Sequence, residues 1–145
     1  MSAKDDKMNL FVSAMLSLAN AIKCESEHCC QLCGDINEKE LMIIVFVGQN
    51  KSVKMSEIAD NLKAPLSTLT SIADKLVANK FLVRHNSDED RRVVKVGLGI
   101  KGLESYETFL TRRKVRTKKI LSRFNEKEHS TLINYISKLA DAIVA

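Results

Sequence analysis

The stretch MSEIADNLKAPLSTLTSIADKLVANKFLVRHNSDEDRRVVKVGL, residues 55–98, constrains the fold more than any other part of the chain. Ile58, Ala59 and Leu62 make the inward face of a short amphipathic helix. Lys63-Ala64-Pro65 is a turn, and it places the chain's only proline near the next helix start, where a missing N–H is harmless. In the helix that follows, Leu69, Ile72, Ala73 and Leu76 recur at 3-4 spacing. That spacing leaves Ser67, Thr68, Thr70, Ser71 and Lys75 on the open side. FLVRH (81–85) and VVKVGL (93–98) then alternate as strands on either side of the charged turn NSDEDRR.

Two helices joined by a tight turn, the second with a small polar outer face, form a helix-turn-helix, and the hairpin behind them supplies a wing. The expected fold class is mostly α with a small β-hairpin wing, a winged helix-turn-helix flanked by N- and C-terminal helices. One proline and five glycines leave the rest of the chain to long helices. Residues 5–23 read as a helix that is apolar almost all round, through Leu10, Phe11, Val12, Met15, Leu16, Leu18 and Ile22. Such a helix needs cover on most sides, which points to a homodimer. Asn37 caps a second helix, with Glu40 completing a capping box, and its apolar run LMIIVFV is expected to end at Gly48-Gln49-Asn50. From Gly102 the chain returns to helix, breaks near Asn125, and finishes in EKEHSTLINYISKLADAIVA.

Charge is segregated. Residues 75–123 hold fourteen Lys/Arg against five Asp/Glu, in a chain of net charge +5. That excess favours a polyanionic partner for the segment, although a charged run also serves as a solvated helix face. The basic run RRKVRTKKILSR (112–123) fits either role. No run of 18 apolar residues exists, so no membrane association is expected. Lys4 and Lys7 ahead of NLFVSAMLSLANA imitate a signal peptide, but Asp5 and Asp6 break the positive region, and the expected location is the cytoplasm. No Gly-rich phosphate loop, nucleophile elbow or HExxH occurs, so an enzyme is not expected.

The segments MSEIADNL, STLTSIADKLVANKFLVR and SDEDRRVVKVGLGIKG together resemble the MarR family of bacterial and archaeal transcription regulators, by motif over residues 36–104. The resemblance implies a single domain over residues 1–145. Residues 37–102 would be the DNA-binding lobe, with 1–36 and 103–145 as dimerisation helices. It implies a regulator of repressor type on a pseudo-palindromic operator in double-stranded DNA. Ser67, Thr68, Thr70 and Ser71 would face the major groove beside Lys75, and Arg91 or Arg92 would reach a minor groove. Short hydroxyl side chains allow close approach to base edges, and arginine suits a narrow minor groove. This chain departs from the family pattern at Leu98-Gly99, which lacks a hydroxyl usual there, and at Glu89, which stands where proline is frequent.

Every cysteine lies in CESEHCCQLC, residues 24–33. In the architecture that the resemblance implies, the segment falls at the end of the first helix and in its connection to the second, where an effector or a small-molecule signal would act on the spacing of two lobes. Three chemistries are open for Cys24, His28, Cys29, Cys30 and Cys33. Zinc fits the Cys30-x2-Cys33 and Cys24/His28 spacings, and an iron–sulfur cluster fits Cys24-x5-Cys30-x2-Cys33 less well. A thiol switch needs no cofactor at all. Cysteine also serves as a small hydrophobe, which accounts for one or two of the four. His85 and His129 have no evident partner and read as surface histidines. The competing functions are a small thiol or iron–sulfur redox protein on this fold, and a winged helix used only for protein contacts.

Overall fold

The computed structural model describes residues 2–145 as six helices and one small sheet. Helix α1 runs Ala3–Leu32, α2 Glu38–Asn50, α3 Met55–Leu62, α4 Leu66–Ala78, α5 Ile100–Leu121 and α6 Glu126–Val144. Strands β1 (Ser52–Lys54), β2 (Leu82–Asn86) and β3 (Val94–Leu98) form an antiparallel sheet in the order β1-β3-β2. The mostly helical class with a hairpin wing is as expected from the sequence.

Local chemistry sets most boundaries. Asn37 Oδ1 accepts from the Glu40 amide at 2.9 Å, and Glu40 Oε2 accepts from the Asn37 amide at 3.2 Å, so the capping box that opens α2 is complete. Asn125 and Glu128 repeat the device at α6, and Ser2 and Asp5 at α1. Two points differ from the expectation, the end of α1 and the number of strands. The first helix does not stop at Lys23: it continues through the cysteines to Leu32, because no residue before Gly34 opposes helix. Helix α2 ends at Asn50, within the Gly48-Gln49-Asn50 stretch expected to close it, and Lys51 turns at positive φ. Within the helix, Gly48 lets Tyr106 pack close, as a Cβ there would lie 2.7 Å from that ring. The sheet also holds a third strand, β1, whose Val53 pairs with Val96.

The chain divides into two compact units. The first runs to Phe109 and holds the core, in which Ile43, Ile44, Val47, Val53, Ile58, Leu69, Leu76, Leu82 and Val96 are sealed from solvent. Each such side chain contributes about 1.5–3 kcal/mol by burial. These residues come from α2, β1, α3, α4, β2 and β3, so one core fixes α4 and the sheet together. In the second unit, Leu110–Ala145, α5 completes and turns into α6. His129 is not a bare surface histidine, because its Nε2 lies 2.8 Å from the Leu121 carbonyl and 3.1 Å from that of Phe124. It satisfies carbonyls left over where α5 ends.

Candidate nucleic-acid interface and cysteine cluster

Helix α4 is anchored by Leu69, Ala73 and Leu76, which are buried, so its opposite side is turned outward. Ser67, Thr68, Ser71, Asp74 and Lys75 are exposed there, and Thr70 is half-buried. The five expected contact residues of this helix do not stand alike. Thr70 Oγ1 donates to the Leu66 carbonyl at 2.8 Å, so its proton is committed to the helix and its methyl and lone pairs remain for a ligand. Lys75 is committed too: Nζ donates to Glu40 Oε1 at 2.9 Å. Ser67, Thr68 and Ser71 keep their hydroxyls on the open face.

Glu40 is the residue that sequence reading undervalued. One carboxylate oxygen closes the α2 cap, and the other holds the Lys75 ammonium of α4, 35 positions away. No local pattern signals that second partner, since a capping box accounts fully for a glutamate at this position. The Glu40 side chain is 5% exposed and that of Lys75 65%. The two halves of the pair therefore differ in what their loss leaves behind. Lys75→Met strands a buried carboxylate, at about 1–3 kcal/mol. Glu40→Gln keeps an acceptor for the cap and releases an ammonium into water, at about 1 kcal/mol or less. Urea unfolding of the two variants checks this, and equal losses would contradict it.

Asp74 and Arg84 form a second ion pair, tying α4 to β2. At the wing tip, Asp90 Oδ1 accepts from the Arg92 amide at 3.0 Å and from Arg92 Nε at 3.2 Å. Ser87, buried, closes the turn through its amide to the Val93 carbonyl at 2.8 Å. Arg92 is thus steered by Asp90, while Arg91 is exposed beside it. His85 is also partnered: its Nε2 lies 2.9 Å from Ser52 Oγ, joining β2 to β1 across β3.

The helical continuation of α1 sorts the cysteines by face. Cys24 and His28, one turn apart, are exposed. Cys29, Cys30 and Cys33 are buried, none is in a disulfide, and Cys29 Sγ and Cys33 Sγ lie 3.9 Å apart. Burial pushes the Cys30 thiol up, helped by Cys29 and by the carboxylates of Glu38, Glu27 and Glu40. Among the described residues no three His, Cys, Asp or Glu side chains converge as a metal-binding group. Cys30 lines an open groove of about 770 Å³ with Ile22, Lys23, Glu27 and Ile36.

A hydroxyl-bearing helix presented beside an arginine-tipped hairpin defines a winged helix-turn-helix. Comparison with known proteins narrows the class. The MarR family model matches residues 36–94, which hold α2, α3, α4, β1, β2 and the wing turn. Over 107 residues the chain is 29% identical to the HTH-type transcriptional repressor MdtR of Bacillus subtilis, covering 74% of this chain and 69% of that one. The structure is similar to that of YusO from Bacillus subtilis, with a TM-score of 0.75 and 27% identity, over 98% of this chain and 99% of that one. It also shares its fold with FabT of Streptococcus pneumoniae, solved in complex with DNA, at a TM-score of 0.76 and 24% identity over 95% and 96% of the two chains. The chain carries a MarR-family domain across residues 36–94. Two further relatives from Bacillus subtilis, YfiV and YpoP, are likewise named as HTH-type transcriptional regulators. Among the described residues, no helix is long and apolar enough to cross a membrane.

Proposed function

We propose that the chain is a cytoplasmic, homodimeric transcriptional repressor that binds a pseudo-palindromic operator in duplex DNA and takes its input at the cysteine-bearing end of α1. The observation that carries the DNA reading is the outer face of α4. Ser67, Thr68 and Ser71 stand on it with free approach, on a helix locked from behind by the core and from the side by Glu40 and Arg84. A rigid helix with short polar side chains suits a major groove, and Arg91 at the wing tip suits the neighbouring minor groove. The repressor role of MdtR and the DNA complex of FabT support the same reading.

Apolar surface supports the dimer. In the single chain, Met8, Leu10, Phe11, Val12, Leu16 and Ile22 of α1 are exposed. The second unit by itself leaves Ile133, Ile136 and Ile143 exposed. A folded chain rarely leaves so much apolar helix surface to water, and a second copy covers it with an interface on the order of 2,000 Å² or more. Sedimentation at micromolar concentration is expected to give the mass of two chains, and a monomer would refute this part.

Selection from random duplexes tests the DNA reading. Two symmetric recognition helices require half-sites about one helical turn apart, so a pseudo-palindrome is expected to emerge. Arg91→Ala is expected to weaken selected and scrambled duplexes alike, by about 10-fold, and to reduce the salt slope by about 1. Selection that returns no consensus would favour a winged helix used for protein contacts.

At the input site the thiol chemistry fits better than a metal. Zinc and iron–sulfur centres need three or four ligands in one place. The helix places Cys24 and His28 apart from Cys29 and Cys33, which leaves a pair in this chain. Metal analysis of the anaerobically purified protein is expected to find less than one ion per dimer. Stoichiometric zinc or iron would reverse the preference.

A further inference from the structure

Cys29 and Cys33 are one helical turn apart at the end of α1, where the helix is giving way to a turn. Cys33 is the C-cap, at φ −83° and ψ 13°, and its amide still donates to the Cys29 carbonyl at 2.9 Å. Gly34 follows at φ +114° and Asp35 at +56°. The two sulfurs are 3.9 Å apart, against about 2.05 Å in a disulfide. Residues one turn apart on a helix have Cα atoms about 6 Å apart, inside the range that a disulfide spans. Closing the bond therefore requires an adjustment of the last turn only.

That turn is reachable from solvent. Cys33 lines a cavity of about 280 Å³ together with Leu32, Phe81, Lys101, Glu104, Ser105 and Thr108. The space equals several water molecules and admits a small hydroperoxide. Lys101 and Glu104 bring one charge of each sign to the same cavity. Cys30 faces a different groove, and Cys24 is exposed farther up the helix.

The turn is also latched to the rest of the lobe. Ser105 Oγ donates to the Cys33 carbonyl. A Cβ on Gly34 would lie 3.1 Å from the Phe81 ring, so the ring packs where only glycine leaves room. The Phe81 amide in turn donates to the Leu76 carbonyl at 2.8 Å, at the end of α4. Cys33 thus reaches the DNA-facing helix through two residues.

We infer that Cys29 and Cys33 are a hydroperoxide-responsive dithiol, and that their disulfide disturbs the Cys33–Ser105 and Gly34–Phe81 latch and lowers the affinity of α4 for DNA. The second half rests on the function proposed above; the first does not. In the first step the Cys33 thiolate attacks a peroxide oxygen, the O–O bond breaks, and an alcohol leaves once protonated, with a sulfenic acid left on Cys33. The Cys29 thiol then displaces that hydroxyl as water and the S–S bond forms. Two thiols lose two electrons and two protons in all, and the hydroperoxide is reduced to alcohol and water. A dithiol reductant returns the pair to thiols.

The experiment uses the full chain with Cys24→Ser and Cys30→Ala, so that only Cys29 and Cys33 can react, beside the wild type. Both are exposed to tert-butyl hydroperoxide, alkylated under denaturing conditions, and weighed; in parallel, anisotropy follows binding to the selected duplex. The expected result is loss of both alkylation sites in the variant and of two of four in the wild type, with a 2 Da decrease within a single chain. DNA affinity is expected to fall by about 10-fold or more and to recover with dithiothreitol. Thiols that stay alkylatable, or that link separate chains, overturn the dithiol. A disulfide that forms without changing affinity overturns the latch. Reduced protein that binds no duplex would instead refute the proposed function, and the mass measurement would still decide the dithiol.

Discussion

Replacing Ser71 with glutamate is expected to lower affinity for the selected duplex by at least about 100-fold while leaving thermal unfolding unchanged. Ser71 is exposed near the middle of the α4 outer face, between Ser67 and Lys75, one helical turn from each. A carboxylate there meets the electronegative floor and walls of a major groove, and a like-charge juxtaposition at an interface costs several kcal/mol. Each 1.4 kcal/mol is tenfold, so two orders of magnitude is a modest expectation. The fold has little reason to respond, because the position makes no core contact and glutamate is a good helix former. Ser71→Ala, by contrast, is expected to alter sequence preference more than affinity, since it removes only a hydroxyl that can discriminate bases. Anisotropy titration of both variants, with calorimetric melting as the control, checks the pair. A glutamate variant that binds like the parent would mean that α4 does not enter the groove.

The largest expected effect on stability lies at Gly102, in the first turn of α5. A Cβ at this position would sit 1.9 Å from the Phe81 carbonyl oxygen, a backbone atom that itself accepts from the Gly99 amide at 2.9 Å. Neither side can yield by a rotamer change, so Gly102→Ala must push α5 away from the segment that joins α4 to β2. Overpacking of a tight core costs about 1–3 kcal/mol, and a clash with fixed backbone belongs at or beyond the upper end. A loss of about 3 kcal/mol corresponds to a melting temperature about 6–12 °C lower for a chain of this size. A shift of less than about 2 °C would show that the two segments are not held as closely as described. Because Phe81 also bonds to the end of α4, the same variant is expected to bind DNA more weakly even at temperatures where it is folded.

The helix-turn-helix and the hairpin were legible because their signals are local. Leu69, Ala73 and Leu76 are spaced for one helical face, and all three are buried. The alternation in FLVRH and VVKVGL marks two strands, and they pair with Leu82 opposite Leu98 and Asn86 opposite Val94. Asn37 and Glu40 announce the start of α2 through a box that needs only four residues. What escaped was set at a distance or hidden by residue type. Strand β1 is three residues long and finds its partner β3 more than forty positions later, so nothing in Ser52-Val53-Lys54 alone specifies a strand. The end of α1 was placed too early because the charges and thiols of CESEHCC look unlike a helix interior. Cys29 and Cys33 are in fact its buried face, and Gly34 is the true stop. Lys75 reads as a groove-facing cation, and only the tertiary structure reveals its glutamate. The clustering of the cysteines was visible at once, whereas their separation into an exposed pair with His28 and a buried group followed from the helix length.

The electrostatic character of the complex tests the central claim most directly. A dimer that seats two recognition helices and two wings on a duplex displaces condensed counterions at every phosphate it neutralises, so log affinity must fall linearly with log salt. For some 6–10 phosphate contacts the loss between 50 and 200 mM salt is on the order of 10³-fold or more. Anisotropy titrations of the reduced protein with its selected duplex across that range are expected to give such a slope, with a scrambled duplex bound far more weakly at every salt concentration. A flat salt dependence, or equal affinity for the selected and scrambled duplexes, would contradict the account.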